Sequence, residues 1–301
     1  MTPEEQNEVQ RLILAIPVLA EIKAAPQRLG GLTNRVYAVG DYVLRIPGMG
    51  TEEYINRANE VVMAREAATA GVSPQVVHAD AKSGIMITRR VLGVTMSPEK
   101  FKTDAGSVAR AGQALAKLHH SNGSFPSRFE LFAVMNDYFK ILVTKNYILP
   151  DGYQDAMKEA EIIRNTLAQG PAPLVPCHCD PLCENFLDDG KRMWIVDWEY
   201  GGMNDPMWDL GDLSVEGAFT PAQDEVLIHA YFGGPASSAD YGRMVIYKAM
   251  CDLLWALWGL IQHANNNRAE NFANYAANRF NRCKALMAIP EFSQHMAAIV
   301  A

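Results

Sequence analysis

A cluster of polar residues lies in the middle of the chain, in a loop between two short apolar runs. His178, Asp180 and Asn185 form the pattern H-x-D-x4-N after the first run, and Asp197 closes the second run. Phosphoryl transfer needs a carboxylate that orients the acceptor hydroxyl and accepts its proton, and oxygen ligands that hold Mg²⁺. We therefore predict Asp180 as the catalytic base, and Asn185 and Asp197 as catalytic residues that bind the metal. The alternative is that these residues only form turns and caps.

Two longer strings make the pattern more specific. Residues 195–200 read IVDWEY and residues 204–210 read NDPMWDL. Together with residues 177–187 they resemble the choline/ethanolamine kinase family, one of a wider group of protein-kinase-like folds that includes aminoglycoside phosphotransferases. The resemblance implies an enzyme that transfers the γ-phosphate of ATP to an alcohol, with ATP and Mg²⁺ as cofactors. It also implies that His178 is structural and that Asp209 orders the catalytic loop.

The pattern of elements along the chain agrees with an α+β, protein-kinase-like two-lobed fold. Two strands are predicted on either side of Gly40-Asp41, followed by a helix over 52–70 and strands over 75–78 and 84–88. From Asp104 onward helices dominate, and one β-rich island interrupts them over residues 174–196. The predicted helices are 105–120, 130–144, 152–168, 205–217, 221–232, 240–264 and 268–288. We predict a small β-rich nucleotide-binding lobe over 1–92 and a larger, mainly helical catalytic lobe over 93–301.

The nucleotide-binding residues are predicted from kinase-like order. Arg45 lies on the predicted third strand, where its guanidinium fork could contact phosphate oxygens. Glu60 matches the helix carboxylate that pairs with it, and Glu66 is the rival six residues later.

Two further contacts to the nucleotide are predicted at the edges of the small lobe. Gly31, Thr33 and Asn34, in a turn-rich loop, are expected to cover the phosphates through backbone N–H groups and side chains. Backbone groups at the seam near Arg90 are expected to bind adenine, an inference from the fold alone.

The acceptor site is predicted from aromatic residues at helical spacing. Trp255 and Trp258 are at i and i+3 on one helix, and Tyr275 lies on the next. With Tyr200 and the acidic Glu216 they match the family's choline cage, in which aromatic faces bind a quaternary ammonium. The alternative is that such aromatic residues only form core.

Three carboxylates complete the acceptor prediction. Asp180 and Glu199 are grouped with the acceptor-binding residues, and Glu199 is also expected as a further metal or water-shell carboxylate. Asp252 could add charge to the pocket or pair locally, and the sequence leaves both readings open.

Composition limits the other function classes. The net charge is −7 and no run of Lys or Arg is present, which argues against nucleic-acid binding. The N-terminus is acidic rather than signal-like, so we expect a cytoplasmic protein with reduced cysteines.

The apolar stretch 244–262 carries Lys248 and Asp252, which favours a buried helix over a membrane span. No C-x2-C pair is present among Cys177, Cys179 and Cys183, which argues against a zinc site.

Several functions remain open at this point. The first is a kinase for a small cationic alcohol, with choline as the leading acceptor. Ethanolamine, another amino alcohol or an aminoglycoside would keep the fold and change the acceptor. A catalytically silent ligand-binding protein is the third. The oligomeric state is open, with a homodimer as one option.

Overall fold

A computed structural model describes residues 1–30, 34–48 and 55–301. Gly31, Thr33 and the first residues of the helix predicted over 52–70 lie outside the described residues. Within the described parts the chain is a mixed α+β protein, with an antiparallel sheet in its N-terminal region and mostly helices in its C-terminal part. This confirms the predicted fold class. The division between residues 92 and 93 stays a prediction.

The N-terminal sheet has five antiparallel strands in the order β1-β2-β3-β5-β4. They are β1 (Gln27–Gly30), β2 (Arg35–Val39), β3 (Tyr42–Ile46), β4 (Val76–Asp80) and β5 (Ile85–Arg89). Val39 pairs with Tyr42, and Gly40 between them has a φ of 58°, as a tight two-residue hairpin turn requires. The predicted hairpin is therefore present and places Arg45 on the third strand.

Two helices cover one face of this sheet. They are α1 (Pro3–Ala15) and α2 (Pro17–Ala20), and Pro17 begins the second helix. Val9, Ile13 and Leu19 pack with buried side chains of the strands, including Tyr37 and Leu44. This separate small core holds the sheet as a rigid support for Arg45.

Helix α3 (Arg57–Thr69) brings a carboxylate to the sheet. The Asn56 side chain caps its N-terminus by accepting hydrogen bonds from the N–H groups of Ala58 and Asn59. Glu60 and Met63 lie on its buried face. The helix ends before Gly71, whose φ of 73° suits a residue without a side chain.

The C-terminal part holds nine α-helices, one 3-10 helix (Cys183–Asn185) and five short strands among the described residues. The helices are α4 (Pro98–Thr103), α5 (Ser107–His119), α6 (Leu131–Thr144), α7 (Tyr153–Gln169), α8 (Pro206–Glu216), α9 (Pro221–Phe232), α10 (Ser238–Ala264), α11 (Phe272–Met287) and α12 (Pro290–Val300). The strands are β6 (Val94–Thr95), β7 (Val175–Cys177), β8 (Phe186–Asp188), β9 (Met193–Ile195) and β10 (Gly202–Asn204). The seven predicted helices are all present, whereas α4, α12, β1, β6 and β10 were not predicted.

Helices α8 and α10 pack closely and support the central loop. Asp205 caps α8 by accepting a hydrogen bond from the Met207 N–H at 3.0 Å. A Cβ at Gly211 would lie 2.8 Å from the Met244 carbonyl oxygen, so glycine is needed for this approach. Helix α10 is long and apolar enough by length and composition to span a membrane, but most of it is buried within the protein, as in a core helix.

Candidate active site

A β-hairpin brings the two predicted metal ligands together. Asn185 immediately precedes β8, and Asp197 follows two residues after β9. Phe186 pairs with Ile195 across the hairpin, and the Val196 N–H donates to the Asn185 carbonyl at 2.9 Å. Because the strands are antiparallel, Asn185 and Asp197 lie at the same end of the hairpin.

The donor atoms at this end fit a hard cation. The Asn185 amide nitrogen donates to the Asp180 carbonyl at 3.0 Å, which leaves the amide oxygen as its ligand atom. Asp197 has a φ of 69°, a left-handed conformation that aspartate tolerates. Its Oδ1 atom is buried and has no hydrogen-bond partner among the described residues. A carboxylate oxygen and an amide oxygen are ligands that suit Mg²⁺, so the residues present fit that ion.

Several carboxylates face the predicted base. Burial, followed by the negative charges of Glu216, Asp197 and Glu199, raises the pKa of Asp180 to about 8. Burial and the charge of Glu199 also raise the pKa of Asp197. The carboxylates of residues 180 and 197 are thus close enough to affect each other. A pKa near the working pH suits a group that accepts a proton.

Asp209 holds the loop that carries Asp180. Its fully buried carboxylate accepts hydrogen bonds from the backbone N–H groups of His178 at 2.7 Å and Cys179 at 2.9 Å. His119 Nε2 lies 3.0 Å from the same carboxylate. Cys179 has a φ of 66°, and these bonds help to hold that uncommon conformation. The geometry agrees with the expected loop-ordering role of Asp209.

His178 is tied to the same framework, and its Nδ1 atom accepts a hydrogen bond from the Asp180 N–H at 3.4 Å. Its Nε2 lies 2.9 Å from the Val196 carbonyl oxygen, and its ring packs 4.8 Å from that of Trp198. Burial lowers the pKa of His178, which favours the neutral ring. Trp198 in turn donates to Ser73 Oγ at 3.0 Å. These contacts fit the expected structural role and link the loop to the segment between α3 and β4.

Arginines and carboxylates form a buried network on the nucleotide side. Arg45 makes ion pairs with Glu60 and with Glu199, the latter at 3.0 Å. Arg57 reaches the same two carboxylates at 2.8 and 2.5 Å. The Asn34 side-chain nitrogen donates to Glu199 at 3.0 Å. The network therefore joins the loop before β2, the third strand, α3 and the segment after β9.

This network distinguishes Glu60 from its rival Glu66 and puts Glu199 on the nucleotide side of the site. Glu60, not its rival Glu66, pairs with Arg45. Glu199 was grouped with the acceptor-binding residues, but its side chain contacts the nucleotide-side arginines. Arg57 was not predicted. Its place three residues before Glu60 on α3 was the only sequence signal available.

The backbone N–H groups of the seam after β5, where an adenine contact is predicted, have partners within the protein. The Arg90 N–H donates to the Asp41 carbonyl at 2.8 Å, and the Arg89 N–H donates to the Gln75 carbonyl at 2.8 Å. Both backbone donors are therefore already used within the protein. A backbone contact from Arg90 to adenine would have to use its carbonyl oxygen.

Four aromatic rings form a continuous wall on the acceptor side. The Tyr200 and Trp255 ring centroids are 6.5 Å apart, those of Trp255 and Trp258 are 6.0 Å apart, and those of Trp258 and Tyr275 are 5.9 Å apart. Each pair meets edge to face, and all four residues are only partly buried. The four rings are therefore not fully enclosed, although Tyr200 and Trp255 also pack against the core.

The acidic residues beside this wall have arginine partners. Arg279 Nη1 lies 2.6 Å from Glu216 Oε1 and 3.4 Å from Asp252 Oδ1. Arg282 also binds Asp252, so Asp252 pairs locally. Arg279 was not predicted, although it lies four residues after Tyr275. The ion-pair partners of a helix residue depend on which helix packs against it, and spacing alone does not show this.

The cysteines near the loop do not gather around a metal site. Cys177, Cys179 and Cys183 are buried, free thiols. Burial raises the pKa of Cys177 and Cys179, which keeps them protonated. Among the described residues, no group of metal-ligating side chains includes more than one of the three.

Comparison with known proteins places the chain in a family. The sequence model of the phosphotransferase enzyme family (APH) matches residues 25–245, well over half of the chain. A crystal structure of a choline/ethanolamine kinase family protein from Mesorhizobium loti is 62% identical, with a TM-score of 0.93 and 98% of each chain covered.

More distant relatives have named activities. The choline kinase LicA from Streptococcus pneumoniae is 25% identical, with a TM-score of 0.77, 95% of this chain covered and 99% of its own. Mouse ethanolamine kinase 2 is 29% identical over 84% of this chain and 73% of its own length. The fold is thus the protein-kinase-like fold of these enzymes. The chain is a small-molecule kinase that belongs to the phosphotransferase enzyme family and, within it, to the choline/ethanolamine kinase family.

Proposed function

We propose that this kinase transfers the γ-phosphate of ATP to the hydroxyl group of choline, with Mg²⁺ held by Asn185 and Asp197. The observation that carries the proposal is the aromatic wall of Tyr200, Trp255, Trp258 and Tyr275. A quaternary ammonium has no N–H to donate, so aromatic faces are its natural partners, each supplying about 0.5–2 kcal/mol.

Asp180 accepts a hydrogen bond from the choline hydroxyl. This bond orients the hydroxyl oxygen of choline towards the γ-phosphorus. As the new P–O bond forms and the bond to ADP breaks, the hydroxyl proton passes to the Asp180 carboxylate. Mg²⁺, when bound, offsets charge on the phosphate oxygens. Placing the acceptor against the wall makes the reaction effectively intramolecular, which is a large share of kinase catalysis.

Arg45 supports the nucleotide side of the proposal. Its Nε atom is buried and has no hydrogen-bond partner among the described residues, although its Nη1 atom is ion-paired with Glu60 and Glu199. A buried donor of this kind is a suitable partner for a phosphate oxygen. Arg57 keeps Glu60 and Glu199 paired if Arg45 turns towards the nucleotide.

Ethanolamine is the second candidate acceptor, and one observation favours it. Asp212 is fully buried, its Oδ2 has no hydrogen-bond partner among the described residues, and its carboxylate lies within 4.8 Å of Glu216 and Cys251. A primary ammonium, with N–H groups to donate, would gain from such a concentration of carboxylates.

The test is a coupled assay of ADP release with ethanolamine, its mono- and dimethyl derivatives, choline and an aminoglycoside. We expect kcat/KM to rise with each methyl group and to be highest for choline. A steady fall in kcat/KM from ethanolamine to choline would favour ethanolamine as the acceptor. Activity with the aminoglycoside alone would exclude the amino-alcohol proposal, and ligand binding without ADP release would indicate a silent binding protein.

A further inference from the structure

Arg279 places a permanent positive charge inside the proposed acceptor pocket. It lies on α11 four residues after Tyr275, so both side chains are on one face of the helix. Its guanidinium carbon is 5.0 Å from the centroid of the Tyr275 ring. Its exposed fraction is 8%, so the guanidinium has little contact with water.

The same guanidinium forms an ion pair with Glu216, the carboxylate expected to attract the cationic acceptor. Arg279 Nη1 lies 2.6 Å from Glu216 Oε1, and the Glu216 side chain is 13% exposed. In the ranges 1–30, 34–48 and 55–301, Arg279 is the only basic side chain ion-paired with Glu216. Arg279 therefore offsets part of the negative charge of Glu216, which still acts on Asp180.

Asp252 differs because it has a second partner. Arg282 Nε donates to Asp252 Oδ2 at 3.1 Å, and the Arg282 side chain is 51% exposed. Asp252 thus stays paired if Arg279 is replaced, whereas Glu216 loses its partner. Arg282 also gives a matched control, because it contacts the same network without contacting Glu216.

We propose that Arg279 sets acceptor specificity by holding Glu216 in an ion pair and covering one face of Tyr275, so that ammonium groups are selected by aromatic contact more than by this carboxylate. This rests on the proposed function, since it concerns the same pocket. A primary ammonium gains most from an unpaired carboxylate, to which it donates charge-assisted hydrogen bonds. A quaternary ammonium gains most from ring faces.

The test compares choline and ethanolamine, both cations at neutral pH, with the wild type, Arg279→Gln and Arg282→Gln. The readout is the ratio of kcat/KM for choline to that for ethanolamine, together with the ratio of their Kd values from calorimetry. In Arg279→Gln we expect both ratios to move at least about tenfold towards ethanolamine, or about 1.4 kcal/mol. The KM for ATP and both ratios in Arg282→Gln should stay within about twofold.

A double variant and a conservative variant distinguish this role from a general loss of packing. Arg279→Gln with Glu216→Gln removes both charges and should return the ratios to within about threefold of wild type. Arg279→Lys keeps a point charge without the fork and should shift the ratios less, in the same direction. If Arg279→Gln does not fold, the lysine and double variants decide the matter.

The outcomes separate this proposal from the proposed function. The wild-type series reports which acceptor is used, and the change between variants reports on Arg279, whichever amine the wild type prefers. Unchanged ratios in a folded Arg279 variant, an equal shift in Arg282→Gln, or no recovery in the double variant would overturn the assignment.

Discussion

The side-chain nitrogen of Asn185 donates a hydrogen bond to the backbone carbonyl of Asp180 at 3.0 Å. This bond fixes the orientation of the amide, so that its oxygen is the atom left for a metal ion. It also ties the end of the β8–β9 hairpin to the residue proposed as base. One side chain thereby couples the position of the metal to the position of the acceptor hydroxyl.

Replacing Asn185 with alanine should weaken the metal dependence of the reaction. The variant loses both the oxygen ligand and the bond to Asp180, so we expect half-maximal activity to need about 10–100 times more Mg²⁺. Titration of activity with Mg²⁺ at saturating ATP checks this. Asn185→Asp keeps an oxygen ligand but not the N–H donor, and should retain more metal affinity with a lower kcat. An unchanged Mg²⁺ requirement in the alanine variant would count against the assigned ligand.

Choline affinity in the nucleotide-free enzyme should rise with pH. Burial and neighbouring negative charges raise the pKa of Asp180 to about 8, so the carboxyl is mostly protonated at pH ~6.5 and mostly ionised near pH ~9. Only the ionised form attracts the cationic head, and choline carries a fixed charge. We expect its Kd to fall several-fold over this range, measured by calorimetry. The dependence of the choline Kd on pH should be weaker in Asp180→Asn. An equal dependence in that variant would assign the effect to another titrating group.

Removing the buried carboxylate of Asp209 should destabilise the protein. Asp209→Ala leaves the N–H groups of His178 and Cys179 without their acceptor, and each unsatisfied buried donor costs about 1–3 kcal/mol. We expect the free energy of unfolding in urea to fall by about 3 kcal/mol or more. Asp137→Ala is the control, because Asp137 pairs with Lys140 on the surface and should change stability by less than ~0.5 kcal/mol. Equal effects of the two changes would contradict the loop-ordering role.

Loss of an aromatic face should affect choline more than ethanolamine. Trp258 is in ring contact with both Trp255 and Tyr275, so Trp258→Leu interrupts the wall at its centre. We expect the choline KM to rise about tenfold, the effect of one strong cation–π contact, with Trp258→Phe intermediate. Trp194→Leu is a matched control, since Trp194 stacks with Arg192 on the β8–β9 hairpin. A parallel rise for both amines would indicate general loss of packing.

The elements that carry the site were predictable because their signals are local. The hairpin at Gly40 and the helices after Asp104 are each indicated by residues that lie close together in the chain. The pairing of Arg45 with Glu60 could be anticipated from their order along the chain. The short strands β6 and β10 were not anticipated, since two or three residues carry too little pattern.

The side-chain partners of charged residues were harder to predict. Glu199 follows Asp197 by two residues, and only the packing of α3 against this segment shows that Arg57 takes its charge. Arg279 likewise meets Glu216 because α8 and α11 both pack against α10. Long-range ion pairs depend on which surfaces meet, and one sequence gives residue types and spacing without that information.

The most direct test of the central claim is to follow the phosphorus atom. Purified enzyme is mixed with ATP, Mg²⁺ and choline, and the products are observed by ³¹P NMR, with Asp180→Asn in parallel. We expect phosphocholine and ADP in equal amounts from the wild type, and a rate lower by about 10²–10⁴-fold in the variant. Inorganic phosphate instead of phosphocholine, or full phosphocholine formation by Asp180→Asn, would contradict the central claim.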